Sequence, residues 1–219
     1  MRMLVLDAAT GTALAAVVAD GEVVAIRTEA ASVVDGRSPV GGLAVMADDV
    51  MRDAPPIDAV AVTVGPGSFT GIRGALSLAA GIGLGAGVPV VGVTIGEALA
   101  ADPSLAPALA TGRHLWAATD SRRGRTFVER KDDAGEDDAA AFERASLPTP
   151  DAPIVIAGDA AIEVASVLAA RGADIMLSDL RRPTARGIAA AAAARLDGIL
   201  PPREAIPLYV DPPEARPAA

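Results

Sequence analysis

The residues best placed for chemistry lie in one stretch, where an apolar segment leaves through glycines and enters a glycine-rich helix. It reads Gly65-Pro66-Gly67-Ser68-Phe69-Thr70-Gly71-Ile72-Arg73. Ser68 is a good N-cap residue, because its hydroxyl can accept a hydrogen bond from a free backbone N–H group. A helix N-terminus attracts anions, and Arg73 adds positive charge one turn in. The stretch lacks the Lys-Ser/Thr pair of a Walker loop, so a structural turn that serves an interface remains open beside phosphate binding.

The other reactive residue types are scarce. The chain has one histidine, His114, and no cysteine. These residues cannot form a multi-histidine zinc site or supply a thiol nucleophile. A Ser-His-Asp triad would need His114 as its base, but this residue lies in an apolar alternation at a predicted strand start, which favours a structural or exposed role. We therefore predict no catalytic residue and no metal ligand, and the sequence disfavours a peptidase.

Glycines dominate the helix predicted over 69–86. Five lie inside it, and each costs about 1 kcal/mol relative to alanine. They are Gly71, Gly74, Gly81, Gly83 and Gly85. Three of them, Gly74, Gly81 and Gly85, fall on one narrow face, where another backbone could approach closely. The large side chains spread over more than half of the circumference, which predicts a helix buried nearly all round.

Three environments could bury this helix. We expect it to lie between its own sheet and a second subunit, and the alternative is a position between layers of its own fold. A membrane span is the third option, because no charge occurs between Gly74 and Gly96. Gly87-Val88-Pro89 interrupts that stretch and a predicted strand follows, so the span is disfavoured.

The elements that position these residues follow from periodicity. Strands are predicted at 3–6, 14–19, 22–28, 57–64 and 88–93, with helices at 39–51 and 69–86, in the order βββαβαβ. Asp20-Gly21 suits a tight hairpin turn. A meander followed by right-handed crossovers describes a mixed sheet covered by helices, so the fold class is α/β.

A hinge at 102–107 divides the chain into a first lobe, 1–104, and a shortened second lobe, 105–219. The second lobe is predicted to contain strands at 114–119, 125–129, 154–157 and 175–177, and helices at 160–170 and 184–196. Residues 131–138 are interpreted as an acidic solvated loop, and the chain from Pro201 as extended. The second lobe thus repeats the first in shorter form.

Composition limits the partners of the chain. Of its 219 residues 51% are hydrophobic and 2% aromatic, and the net charge is −9. This charge argues against a chain that itself grips phosphate backbones, so a partner is expected to hold any nucleic acid. The absence of cysteine fits a reducing compartment, and the start of the chain is too short for a secretory signal. We expect a soluble cytoplasmic protein.

Two resemblances follow from these residues. A duplicated meander with Asp7 and Thr10 in the first turn resembles the two-lobed actin, sugar kinase and Hsp70 (RNase H-like) superfamily. The stretch from Gly65 to Arg73 resembles the signature of the TsaB (YeaZ) family. Further elements agree in order: Val91-Gly92-Val93-Thr94, Glu97-Ala98-Leu99-Ala100, Asp120-Ser121-Arg122-Arg123-Gly124 and Pro207-Leu208-Tyr209. The resemblance spans nearly the whole chain.

The family resemblance implies a role in making N6-threonylcarbamoyladenosine at position 37 of tRNAs that read ANN codons. It implies an accessory subunit that is not catalytic alone and pairs with its paralogue TsaD, which holds the metal and transfers the threonylcarbamoyl group. TsaC makes the adenylate and TsaE supplies ATPase activity. In this scheme tRNA is bound only through the complex, no cofactor is held firmly, ATP or ADP can lie at the TsaD interface, and the isolated chain forms a homodimer.

Two sets of site residues are predicted on this basis. The partner interface comprises Gly67, Ser68, Phe69, Thr70, Gly71, Gly74, Leu78, Gly81 and Gly85. The nucleotide or phosphate set comprises Asp7, Thr10, Gly65, Gly67, Arg73 and Asp120, and it defines the alternative function of a small kinase-like enzyme that binds ATP between its lobes. Residues 34–42 and Asp211 depart from the family pattern, which affects the first helix and the chain end.

Overall fold

Two five-stranded mixed sheets of the same topology form the framework of the computed structural model. It describes residues 1–30, 39–52, 54, 56–131 and 137–210. The sequence departures at 34–38 and at Asp211, and the centre of the acidic segment at 132–136, lie outside the described residues.

The first sheet has the strand order β3-β2-β1-β4-β5. Its strands are β1 (Arg2–Asp7), β2 (Thr12–Ala19), β3 (Glu22–Ala30), β4 (Ala59–Gly65) and β5 (Val90–Thr94). The first three are antiparallel, while β4 pairs in parallel with both β1 and β5. The β2–β3 turn has positive φ at Asp20 (50°) and Gly21 (83°), so the predicted hairpin turn is confirmed.

Helices cover both faces of this sheet. The helices of the described chain are α1 (Pro39–Met51), α2 (Phe69–Ala86), α3 (Ile95–Ala100), α4 (Ala106–Leu109), α5 (Ala161–Ala170) and α6 (Ala185–Leu196), of which α1, α2 and α6 cover this sheet. One face packs against α1 and α2 through buried residues such as Leu43 and Ile72. The opposite face packs against α6 through Ile188 and its neighbouring alanines. The predicted order βββαβαβ is confirmed.

The second sheet repeats the first. Its strands are β6 (His114–Asp120), β7 (Thr126–Lys131), β8 (Asp137–Phe142), β9 (Ile154–Ala157) and β10 (Ile175–Leu177), in the order β8-β7-β6-β9-β10. Here too the first three strands are antiparallel and the last two are added in parallel. A short 3-10 helix, Arg144–Ser146, follows β8. The repeat of one strand order in both lobes confirms the two-lobed α/β fold.

A continuous core joins the lobes. Ile95 and Leu99 of α3 belong to the same buried cluster as Leu115 and Val155 of the second sheet. The helix α6, which follows the second sheet in the chain, returns to the first sheet. The division into 1–104 and 105–219 stays a prediction. In the structure, α6 belongs to the second segment of the chain but packs against the first sheet.

One strand escapes the sequence analysis. Residues 131–138 were expected to form a solvated loop, but Lys131 ends β7 and Asp137 begins β8. β8 pairs along its length with β7, for example Phe142 with Thr126. Its Asp-Asp-Ala-Ala-Ala run has low intrinsic strand propensity, so pairing with a neighbouring strand determines its structure.

By length and composition α2 could cross a bilayer, because its 18 residues have a mean hydropathy of 1.2. Core helices of folded domains satisfy the same criteria. Ile72, Ala75 and Leu76 of α2 are buried in the core of the first lobe. Packing against its own sheet therefore accounts for the apolar residues on the inner side of this helix.

Candidate functional site

The glycine stretch forms a tight turn between β4 and α2. The Gly65–Pro66 peptide bond is cis, and Gly65 has a positive φ of 114°, a conformation that favours glycine. The backbone N–H of Ser68 donates to the carbonyl oxygen of Ala9 at 2.8 Å. A Cβ on Gly67 would overlap that same carbonyl. The turn is thus pressed against the β1–β2 turn, and side chains other than hydrogen do not fit there.

Capping at both ends defines α2. The hydroxyl of Ser68 accepts a hydrogen bond from the backbone N–H of Gly71 at 3.2 Å, so the predicted N-cap is confirmed. Gly87 ends the helix in the left-handed conformation, with φ 69°, and its N–H group donates to Gly83. Ser68 accepts a hydrogen bond from one of the free N–H groups of the first helical turn. The glycine stretch therefore has a structural role that does not depend on a bound anion.

The glycines of α2 fall into two groups. A Cβ on Gly71 would overlap the carbonyl oxygen of Ala8, and a Cβ on Gly83 would overlap the side chain of Val90. A Cβ on Gly81 or Gly85 would meet no atom of the described residues within 4 Å. The first group is required by packing inside the chain, whereas none of the described residues requires the second.

An exposed face runs along the outer side of α2. We call it the α2 face and define it by Gly74, Ser77, Ala80, Gly81, Leu84 and Gly85. Leu84 is 87% exposed, while Gly74 is half-buried. The prediction that α2 is buried nearly all round is therefore wrong for the single chain, as is the alternative of a helix enclosed by its own fold. Its inner side packs on the sheet and its outer side faces solvent.

The predicted interface residues occupy three environments. Gly74, Gly81 and Gly85 lie on the α2 face, and Phe69 and Thr70 are exposed at its N-terminal end. Gly67, Ser68 and Leu78 are half-buried, and Gly71 is buried against Ala8. The assignment of this set to a partner stays a prediction.

A cleft of about 490 Å³ opens beside the first turn of α2. Its walls are that turn, residues 121–123 of the β6–β7 turn, and residues 208–210 of the chain end. The Nε atom of Arg73 donates to the hydroxyl of Tyr209 at 2.6 Å. Its guanidinium lies 3.9 Å from the centre of the Phe69 ring, a cation–π contact. The chain end thereby contributes to the same site as the glycine stretch.

Asp7 and Thr10, in the first lobe, are both 3% exposed. The Asp7 carboxylate accepts hydrogen bonds from the Thr63 hydroxyl at 2.5 Å and the Ala9 N–H at 2.9 Å. Burial raises the pKa of Asp7, although these bonds and the nearby Arg182 act in the opposite direction. The Thr10 hydroxyl is buried and has no hydrogen-bond partner in the described part of the protein.

Asp120 lies on the second lobe beside Asp159. The backbone N–H of Asp120 donates to Asp159 at 2.8 Å, and both carboxylates face the guanidinium of Arg122, at 3.6 and 3.4 Å. Burial raises the pKa of Asp159, against that hydrogen bond and the charge of Arg122. Arg122 also reaches the first lobe, because a Cβ on Gly11 would lie 2.7 Å from its Nη2.

The residues of the predicted phosphate set therefore do not line one common pocket. Gly67 and Arg73 line the cleft, whereas Asp120 lines a separate pocket with Asp159. Asp7 and Thr10 are buried, and Gly65 supports the turn. A shared role for these residues stays a prediction. Sequence reasoning missed the contribution of Arg122, Arg123 and Tyr209 to the cleft; the Arg122-Arg123 pair in a predicted turn was the available signal.

The repeated mixed sheets, the meander at the start of each lobe and the cleft between the lobes define a protein of the actin/sugar kinase/Hsp70-like class. Residues 44–199, more than half of the chain, match the family described as TsaD: tRNA N6-adenosine threonylcarbamoyltransferase. The chain belongs to this family.

Individual proteins agree with this assignment. Uncharacterised proteins of Mycobacterium bovis and Mycobacterium tuberculosis are each 30% identical over 177 residues, which cover 81% of this chain and 74% of theirs. YeaZ from Pseudomonas aeruginosa has the same fold, with a TM-score of 0.70 and 22% identity over 95% of this chain and 99% of that one. A Pseudomonas aeruginosa protein described as similar to peptidase YeaZ gives 0.72 and 22%, over 96% and 99%. The TsaB (YeaZ) resemblance is confirmed.

Proposed function

We propose that this chain is the non-catalytic partner subunit of a complex that makes N6-threonylcarbamoyladenosine in tRNA, and that it pairs with the paralogue TsaD through the α2 face. The observation that carries the proposal is the open space around Gly81 and Gly85. Each of these glycines costs about 1 kcal/mol in a helix. No contact within the described chain offsets that cost, so an approaching subunit accounts for both.

The composition of the α2 face also supports a protein partner. Ser77, Ala80 and the glycines let a second helix approach closely, and Leu84 offers a large apolar side chain at 87% exposure. Arg73 adds positive charge only at the N-terminal end. An uncharged strip bordered by exposed apolar residues is typical of an interaction surface.

The catalytic part of the reaction is assigned to the partner. The chain contains one histidine and no cysteine, and His114 is half-buried at the start of β6, as predicted. The resemblance implies that TsaD holds its metal through histidines. In this proposal the isolated cytoplasmic chain transfers no threonylcarbamoyl group, the complex modifies tRNAs that read ANN codons, TsaC and TsaE complete the pathway, and ATP or ADP lies at the boundary with TsaD.

The test is association with TsaD of the same organism, measured by size exclusion with light scattering. Gly81→Leu fills the open space and is expected to weaken association at least tenfold, while the isolated chain still unfolds cooperatively. Ala190→Leu is the matched control, because it adds the same side chain at an exposed position of α6. Association should be unchanged in this control. Undiminished association of Gly81→Leu would contradict the proposal.

Two further measurements complete the test. Without TsaD the α2 face is free to pair with a second copy, so the isolated chain should be a homodimer. Gly81→Leu should convert this homodimer to a monomer. Mass spectrometry of tRNA should show modification only with both subunits present, and only at adenosine 37 of tRNAs that read ANN codons. Copurification with and without ATP tests for the nucleotide at the boundary.

A further inference from the structure

The inter-lobe cleft concentrates positive charge on an acidic protein. Arg73, Arg122 and Arg123 all line it, and no acidic residue does so in the described part of the chain. Neither Arg73 nor Arg123 has a carboxylate partner among the described residues, in contrast to paired arginines such as Arg186. Local charge, and not the net charge of −9, determines what enters such a cleft.

Aromatic rings border the same space. Phe69 is 49% exposed and Tyr209 48% exposed, and their ring centres lie 5.8 Å apart. Arg73 contacts both residues, since its guanidinium lies over the Phe69 ring and its Nε donates to the Tyr209 hydroxyl. Thr70 and Ser121 are also among the lining residues. Cations beside exposed rings are the elements that bind single-stranded nucleic acid.

We propose that this cleft binds a single-stranded RNA segment, with phosphates on Arg122 and Arg123 and a base against Phe69 and Tyr209. The proposal deepens the proposed function and rests on it, because tRNA is the substrate of that complex. The cleft volume of about 490 Å³ lies within the range of roughly 300–1,000 Å³ that is usual for ligand sites.

The absence of acidic lining residues from the described cleft separates RNA from a nucleoside triphosphate. A triphosphate arrives with Mg²⁺, which prefers carboxylate oxygens in addition to phosphate. Of the nearby carboxylates, Asp7 is buried, while Asp120 and Asp159 line another pocket and face Arg122 from there. A phosphodiester has one charge per unit and needs only arginines and hydroxyls. The cleft therefore fits a phosphodiester strand better than a metal-bound nucleotide.

Fluorescence anisotropy with a dye-labelled, unstructured RNA of ten nucleotides and the full chain tests this inference. Two phosphate contacts predict that log K falls with log salt with a slope of about −1.4 for a single strand. Arg123→Ala should weaken binding about fivefold to tenfold and reduce the slope by about 0.7. The control Arg186→Ala removes an exposed arginine outside the cleft and should leave both quantities unchanged.

The rings are tested in the same assay. Tyr209→Ala should weaken binding by at least fivefold, whereas Tyr209→Phe should retain most of the affinity because the ring remains. The same assay with duplex RNA and with Mg-ATP as competitors distinguishes the ligands. Duplex RNA and Mg-ATP should each bind at least tenfold more weakly than the single strand. Equal or tighter binding of either, no measurable RNA binding at 50 mM salt, or equal losses in Arg123→Ala and Arg186→Ala would overturn the proposal.

Failure here is distinguishable from failure of the proposed function. Arg123 lies on the β6–β7 turn and outside the α2 face, so Arg123→Ala should still associate with TsaD in the light-scattering measurement. Retained association together with absent RNA binding would overturn the cleft proposal alone. Lost association of Gly81→Leu with retained RNA binding would leave both proposals standing.

Discussion

At the scale of single residues, the ionisation of buried Asp7 makes the stability of the fold depend on pH. Its folded-state pKa is raised by burial above the ordinary value of 3.8. Above that ordinary value the folded chain holds a proton that the unfolded chain has released, so the free energy of unfolding falls as pH rises until the folded-state pKa is passed. Asp7→Asn cannot ionise, and we expect this component of the pH dependence to disappear in urea unfolding measured between pH 4 and 7.

Thr63 provides the companion variant. Its hydroxyl donates to the Asp7 carboxylate and lowers the pKa of that group, although less than burial raises it. Thr63→Val removes the donor, so the pKa should rise further and stability should be lost more at pH 7 than at pH 4. If Asp7→Asn showed the same pH profile as the unmodified chain, the assigned titration would be wrong.

At the scale of elements, the two groups of glycines in α2 predict opposite effects on stability. Gly71→Ala places a Cβ against the carbonyl of Ala8 and should destabilise the fold by about 1–3 kcal/mol. Gly81→Ala enters open space and should stabilise the helix by about 1 kcal/mol. Urea unfolding of the two variants, at a concentration where the chain is monomeric, measures both. Effects of the same sign would contradict this division.

Most elements could be predicted because their pattern is local. The bounds 39–51 and 69–86 match α1 and α2, and the hairpin turn at Asp20-Gly21 requires only two residues. β8 was missed because its charged and alanine-rich residues become a strand only through pairing with β7. The exposure of Leu84 likewise depends on which neighbours pack against α2, and a helical projection does not contain that information.

The cleft belongs to the scale of the whole molecule. The glycine stretch could be singled out from the sequence, because its residues are consecutive in the chain. The approach of Tyr209 to Arg73 joins residues 136 positions apart. Arg122 reaches the turn at Gly11 from the other lobe. Contacts of this kind follow from the relative placement of two sheets, which local patterns do not specify.

The returning helix α6 also acts at the scale of the whole molecule. It seals one face of the first sheet, where Ile188 is fully buried among residues of the strands. Arg195 of α6 forms a buried ion pair with Glu97 of α3 at 2.5 Å and donates to the carbonyl of Gly92. Removal of α6 would expose this apolar face and take away Arg195, one of the two arginines that pair with Glu97.

We therefore expect the first lobe to require α6 in order to fold. A chain that ends at residue 180 should lose cooperative thermal unfolding, measured by circular dichroism. Ile188→Ala gives a milder test and should cost about 2–5 kcal/mol, since it leaves a cavity beneath the sheet. An unchanged unfolding midpoint in the chain ending at 180 would show that residues 1–104 form an independent lobe, and that the packing of α6 against the first sheet is dispensable.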